Sequence, residues 1–134
     1  METKFNEATV NRPEGDRIID APFVLIDLEK FSKQIKSEPG WEKNDKNSIT
    51  VFKTDGFTII LTWLHKDAIV NNTLSNGLFT IQVLEGEITV SIEASIIPLG
   101  KNQLITIHPS VMYSMDAKKD SLILISNKKE EEIK

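Results

Sequence analysis

The sequence predicts a mainly β protein, a sandwich or barrel in a single domain, on three observations. From Ser48 onward apolar and polar residues alternate with period two across several short runs. Turn-forming residues separate those runs at short intervals. Helical spacing is confined to residues 27–37, and 134 residues suffice for one domain.

The elements follow in order. Residues 1–26 form an N-terminal arm that is mostly extended, because Arg12-Pro13 and Ala21-Pro22 bias each preceding residue away from helix. Within it Phe23, Val24, Leu25 and Ile26 make an apolar run suited to pairing with a sheet. The stretch DLEKFSKQIKS at 27–37 is predicted as the only helix: Asp27 serves as N-cap, and Leu28, Phe31 and Ile35 share one face. Pro39-Gly40 ends it, and residues 41–47 read as a polar loop around Trp41.

SITVFKT and FTIILTWLH are strands joined at Asp55-Gly56, a dipeptide that favours a hairpin. VNNTLSNG, with Asn71, Asn72, Thr73, Ser75 and Asn76, reads as a polar loop. LFTIQVL and EITVSIE flank Glu85-Gly86 and read as a second hairpin. QLITI, VMYSM and SLILI complete the set, with turns at 98–102, 108–110 and 117–120. The organisation is therefore arm and helix at 1–47, barrel at 48–126 and a charged tail at 127–134.

Composition excludes several function classes. Sixteen Lys+Arg against twenty Asp+Glu give a net charge of −4, the wrong sign for a general nucleic-acid binder. There is no cysteine, which removes disulfides, thiolate metal sites and thiol nucleophiles. His65 and His108 are the only histidines, a small stock for an imidazole site. No apolar leader opens the chain, and runs such as Phe57 to Leu64 fall short of the ~20 residues that span a bilayer. The expectation is a cytoplasmic protein that engages neither membrane nor nucleic acid. Phosphate loops and nucleophile elbows are absent from the sequence.

Residues 49–126 resemble a cupin, a small jelly-roll β-barrel, with IQVLEGEITV as the most telling stretch and NQLITIHPSVMYSMDA where the second cupin motif would stand. The resemblance implies a jelly-roll β-barrel, to which the residues before it add the extended N-terminal arm and the one short helix. It also implies where metal ligands would sit, and this chain departs from that pattern. Counting back from Gly86, the glutamate position falls on Phe79 and the paired histidine positions on Thr73 and Ser75, or on Asn72 and Leu74 with one residue of slippage. The second-motif histidine position falls on Tyr113, and His108 stands in place of the usual proline. Thr, Ser, Phe and Tyr do not supply the donors a first-row metal needs. No metal and no cofactor are therefore expected.

If the glutamate position points inward, alternation turns Phe79, Ile81 and Val83 inward as well, and likewise Tyr113 and Met115, with Met112 and Ser114 outward. The predicted ligand-binding set is Trp63, His65, Thr73, Ser75, Phe79, Ile81, Tyr113 and Met115. It lines an apolar cavity with a few hydroxyls, suited to a small apolar, aromatic or sugar-like molecule. The leading expectation is a non-catalytic binding or sensing module, a homodimer whose arm covers an edge strand. The rival is a metal-independent isomerase or epimerase of the cupin-like kind, with His65 and Tyr113 as acid and base. The chain lacks a carboxylate partner for His65, and its arginines, Arg12 and Arg17, both lie in the arm. A third class, the regulatory cupin, would have to act in trans, since the predicted helix has no partner helix.

Overall fold

Two-faced strands need cover on both sides, and this chain provides it with a second sheet on one face and helices on the other. The structure is a computed structural model and describes residues 3–6 and 17–129. Strands β1 (Lys4–Asn6) and β2 (Arg17–Asp20) pair antiparallel, followed by helices α1 (Leu28–Ser37) and α2 (Pro39–Lys43). Then come β3 (Lys46–Thr54), β4 (Phe57–Leu64), β5 (Ile69–Leu74), β6 (Leu78–Glu85) and β7 (Glu87–Ile92). The last four are β8 (Ser95–Gly100), β9 (Leu104–Ile107), β10 (Met112–Ala117) and β11 (Ser121–Lys128). A five-stranded sheet of order β3-β4-β11-β6-β9 faces a four-stranded sheet of order β5-β10-β7-β8, and every pairing is antiparallel.

The barrel interior is filled from both sheets. Leu64, Phe79, Ile81, Val83 and Ile123 meet Ile88, Val90, Leu99, Met115 and Ala117 there, with Tyr113, Ile92 and Ile125 packed against them. A second core lies outside the barrel, between the five-stranded sheet and α1: Ile35, Ile49, Val51, Leu61, Trp63 and Leu122. Ile35 is fully buried at the centre of the helix face that the sequence predicted. Asp27 caps that helix by accepting from the Lys30 N–H at 3.1 Å.

Several expectations need correction. α1 ends at Ser37, ahead of Pro39 as expected, but it is not the only helix: Pro39 opens α2, where its missing N–H costs nothing, so Trp41 sits on a helix and not in a loop. The segment read as the polar loop VNNTLSNG contains β5, which pairs with β10 across a bulge where Asn72 adopts a positive φ of 41°. β8 was missed too, because Pro98 and Gly100 resemble turn residues; Pro98 is tolerated because β8 is an edge strand.

Glu85-Gly86 is not a hairpin. β6 and β7 belong to different sheets, and Gly86 carries the chain across at a φ of 87°. A Cβ there would stand 2.6 Å from the Asp120 carbonyl oxygen. The arm forms the β1–β2 pair, tied to β3 by a 2.9 Å bond from Arg17 Nε to the Thr50 carbonyl. β11 continues through Lys128, so Asn127 belongs to the five-stranded sheet. Arg12-Pro13 and residues 130–134 of the charged tail lie outside the described residues.

Candidate functional site

Register decides which predicted side chains meet. On β6, Phe79, Ile81 and Val83 alternate into the barrel, and on β10 so do Tyr113, Met115 and Ala117. The Phe79 and Tyr113 rings come together with centroids 4.9 Å apart and planes tilted by 46°. Thr73 lies directly across β5 from Tyr113, on the same face. Ile81, Val83, Ile88 and Val90 are fully buried below this pair, so the deep interior is packed. Phe79 is nearly buried, whereas Tyr113 and Thr73 are half-buried at the mouth.

Tyr113 is the polar centre of this mouth. Among the described residues its hydroxyl has no hydrogen-bond partner, and burial pushes its pKa above the ordinary 10.0. The phenol is thus a neutral donor and acceptor at working pH. Ser75, by contrast, is structural. Its buried hydroxyl donates to the His108 carbonyl at 2.6 Å and accepts from the Val111 N–H at 2.8 Å, pinning the start of β10 to the end of β5.

Two predicted site residues lie elsewhere. Trp63 and His65 are in phase with each other, as expected, but their face is the outer one. Trp63 packs in the helix-covered core, donates Nε1–H to the Ser32 carbonyl at 3.1 Å and holds the Lys36 ammonium 3.8 Å from its ring centroid. His65 stacks on Trp41 with centroids 3.4 Å apart, and its Nε2 bonds the Trp41 carbonyl at 2.6 Å. A carbonyl only accepts, so that nitrogen carries the proton. His65 therefore clamps α2 to the barrel wall and does not share a pocket with Tyr113. The acid–base pair offered by the sequence is not assembled.

The metal positions implied by the resemblance carry Thr73, Ser75, Phe79 and Tyr113. The Ser75 and Thr73 hydroxyls both donate to backbone carbonyls, of His108 at 2.6 Å and of Asn71 at 3.4 Å, the Phe79 ring has no donor atom, and one neutral phenol remains. This donor set does not fit a first-row metal. Among the described residues no group of three or more His, Cys, Asp or Glu gathers. Two surface hollows lie apart from the mouth. One, of about 300 Å³, is lined by Lys4, Ile19, Lys53, Thr54 and Asp55, and the other, of about 270 Å³, by Asp67, Ile69, Ser114, Met115 and Asp116. In the second, Asp116 is already paired with Lys118 at 2.8 Å.

One residue of the mouth escaped the sequence reading. Ile123 and Ile125 face the barrel interior, so Asn127 follows them inward, beside Phe79 on β6 and Thr58 on β4. Its signal was available: the alternation of SLILI simply continues through Ser126 and Asn127.

No protein-family model matches the chain, and no curated protein matches it. Solved structures do. A conserved protein of unknown function from Streptococcus pyogenes superposes with a TM-score of 0.66 at 19% identity, covering 85% of this chain and 93% of that one. A cupin superfamily protein from Desulfitobacterium hafniense gives a TM-score of 0.63 at 16% identity, covering 65% and 80%. An RmlC-like cupin from Shewanella frigidimarina gives 0.61 at 15% identity, covering 66% and 79%. These likenesses establish the fold as the cupin jelly roll. Among the described residues, no helix is long and apolar enough to cross a membrane.

Proposed function

We propose that this cupin jelly roll is a metal-free binding or sensing module that takes a small apolar, aromatic or sugar-like molecule at the Phe79–Tyr113 mouth. The observation that carries the reading is the pairing of those rings above a packed interior, with a half-buried phenol whose hydroxyl is unengaged. Apolar walls with one or two oriented polar groups are the usual make-up of a small-molecule site. His65 stacks on Trp41 outside the barrel, away from Tyr113, and that separation favours binding over the acid–base pair. The reading includes a homodimer in the cytoplasm. Support for the dimer comes from Phe23 and Leu25, which are 87% and 93% exposed on a segment outside helix and strand.

The test is a thermal-shift titration with small aromatic compounds such as indole and phenol, run on the wild type and on Thr73→Phe. A ligand specific to the native state stabilises by about 2.7 kcal/mol at one hundred times its Kd, so melting must rise steadily with concentration. Phenylalanine at position 73 faces Tyr113 and plugs the mouth, so the shift is expected to vanish in that variant. Equal shifts in both proteins, or none in the wild type, would overturn the assignment.

A further inference from the structure

Among the described residues two buried side-chain atoms lack any hydrogen-bond partner, Asp20 Oδ1 and Asn127 Oδ1. Asp20 ends the β1–β2 pair, whose connecting segment lies outside the described residues. Asn127 is different, because it is paired on both sides within the five-stranded sheet, beside Phe79 of the mouth. It sits on β11 between Thr58 and Phe79, and the Phe79 ring meets the Tyr113 ring at 4.9 Å. The strand is held in place on both sides by ladder bonds, and just beyond it the Lys129 N–H bonds the Gly56 carbonyl at 2.6 Å.

A buried, unpaired carbonyl oxygen is costly, and native structures rarely keep one without a use. Neither end of the Asn127 carboxamide is hydrogen bonded, so a half-turn about χ2 exchanges its oxygen and nitrogen with no bond lost. Asn127, Thr58, Thr73 and Tyr113 are each half-buried, so part of every one of these side chains reaches solvent while Asn127 Oδ1 itself is covered. A free carboxamide presents one acceptor beside one donor in a plane. Its complement is a molecule presenting an N–H beside a C=O in a plane, the same two-bond logic by which asparagine reads a base edge. The neighbouring aromatic pair favours a flat ring in that position.

Resting on the binding reading above, we propose that the ligand is a neutral planar heterocycle with a lactam-type edge, held by two hydrogen bonds to Asn127 and packed against Phe79 and Tyr113. Neutrality follows from the apolar side chains packed around the Phe79–Tyr113 pair, since a buried charge without a partner is strongly disfavoured.

The experiment compares 2-pyridone with N-methyl-2-pyridone, which keeps the ring and the carbonyl but has lost the N–H. Binding is followed by the side-chain amide resonances of Asn127 and the ring resonances of Tyr113, the single tyrosine. Expected is a shift of both sets with 2-pyridone, and binding of the N-methyl compound weaker by about tenfold or more. Asn127→Leu removes donor and acceptor together, so it should weaken 2-pyridone more than the N-methyl compound and bring the two to similar affinities. Equal affinities of the two compounds for the wild type would overturn the lactam edge and leave the binding reading standing. That comparison needs no variant, so poor folding of Asn127→Leu would not obscure it. If neither ring moves the Tyr113 resonances, and the aromatic titration also fails, the binding reading itself falls.

Discussion

Tyr113 is the chain's single tyrosine, so its ionisation is readable without assignment. Burial raises its pKa in the folded protein above the ordinary value. As pH rises, the unfolded chain therefore releases the phenolic proton first. The stability contributed by the neutral phenol is complete below the unfolded pKa and is lost as pH climbs through the folded one. Tyr113→Phe is expected to lose stability less steeply than the wild type as pH rises through and above the ordinary tyrosine value of 10.0, measured by urea unfolding at each pH. Parallel profiles would mean that water solvates the phenol freely. The inward face of this residue was legible in the sequence, because period-two alternation around Met112 and Ser114 settles parity. The face of Trp63 was not. β4, FTIILTWL, is apolar on both sides, with Ile59 and Leu61 on the helix side and Leu64 on the barrel side. A strand covered on both faces carries no sign of which cover is the second sheet and which the helix.

At the scale of elements, α1 and α2 act as an outer wall that the barrel cannot do without. Ile35 is buried completely among Ile49, Val51, Leu61 and Trp63, and Asn47 Nδ2 ties the helix end by donating to the Ile35 carbonyl at 2.9 Å and to Glu38 Oε1 at 3.0 Å. Ile35→Ala is expected to cost about 2–5 kcal/mol, the range for removing a buried aliphatic chain that its surroundings cannot fill. Trp41 and Trp63 are the only tryptophans and both lie in this layer, so their emission reports the loosening directly. A loss below about 0.5 kcal/mol would show that the helices are ornamental to stability. The N-cap and the Leu28–Phe31–Ile35 stripe made α1 legible. β5 was not legible, because Asn71 and Asn72 mark a bulge in a strand and resemble a turn; only pairing with β10 distinguishes the two. The Gly86 crossover was misread for a related reason. A glycine at positive φ serves a hairpin and a change of sheet equally well, and sequence does not say which.

For the whole molecule, the remaining question is what surrounds the arm. Of the ten large hydrophobic residues exposed in the structure, Phe5, Ile18, Phe23 and Leu25 lie in the arm, and Phe5 pairs with Ile18 across β1–β2. Residues 22–26 belong to no helix or strand, and no hydrogen bond is formed by them among the described residues. A segment with open N–H and C=O groups and alternate apolar side chains pointing to solvent is suited to strand addition. A second copy offers free edges at β5, β8 and β9, and a reciprocal exchange closes a two-fold dimer without leaving either segment bare. A stable interface needs about 800 Å² per partner, of which one aromatic side chain supplies about 150–250 Å². Phe23 and Leu25 therefore anchor such an interface and the neighbouring backbone and Ile18 must complete it. Sedimentation equilibrium is expected to give a dimer for the wild type and a monomer for the double variant Phe23→Asp, Leu25→Asp. Both side chains are already solvent-exposed in the single chain, so the variant's barrel fold and its aromatic titration at the Phe79–Tyr113 mouth should survive. A wild-type monomer at concentrations of about 50 μM, or a dimer unchanged by the two aspartates, would remove the arm from the assembly.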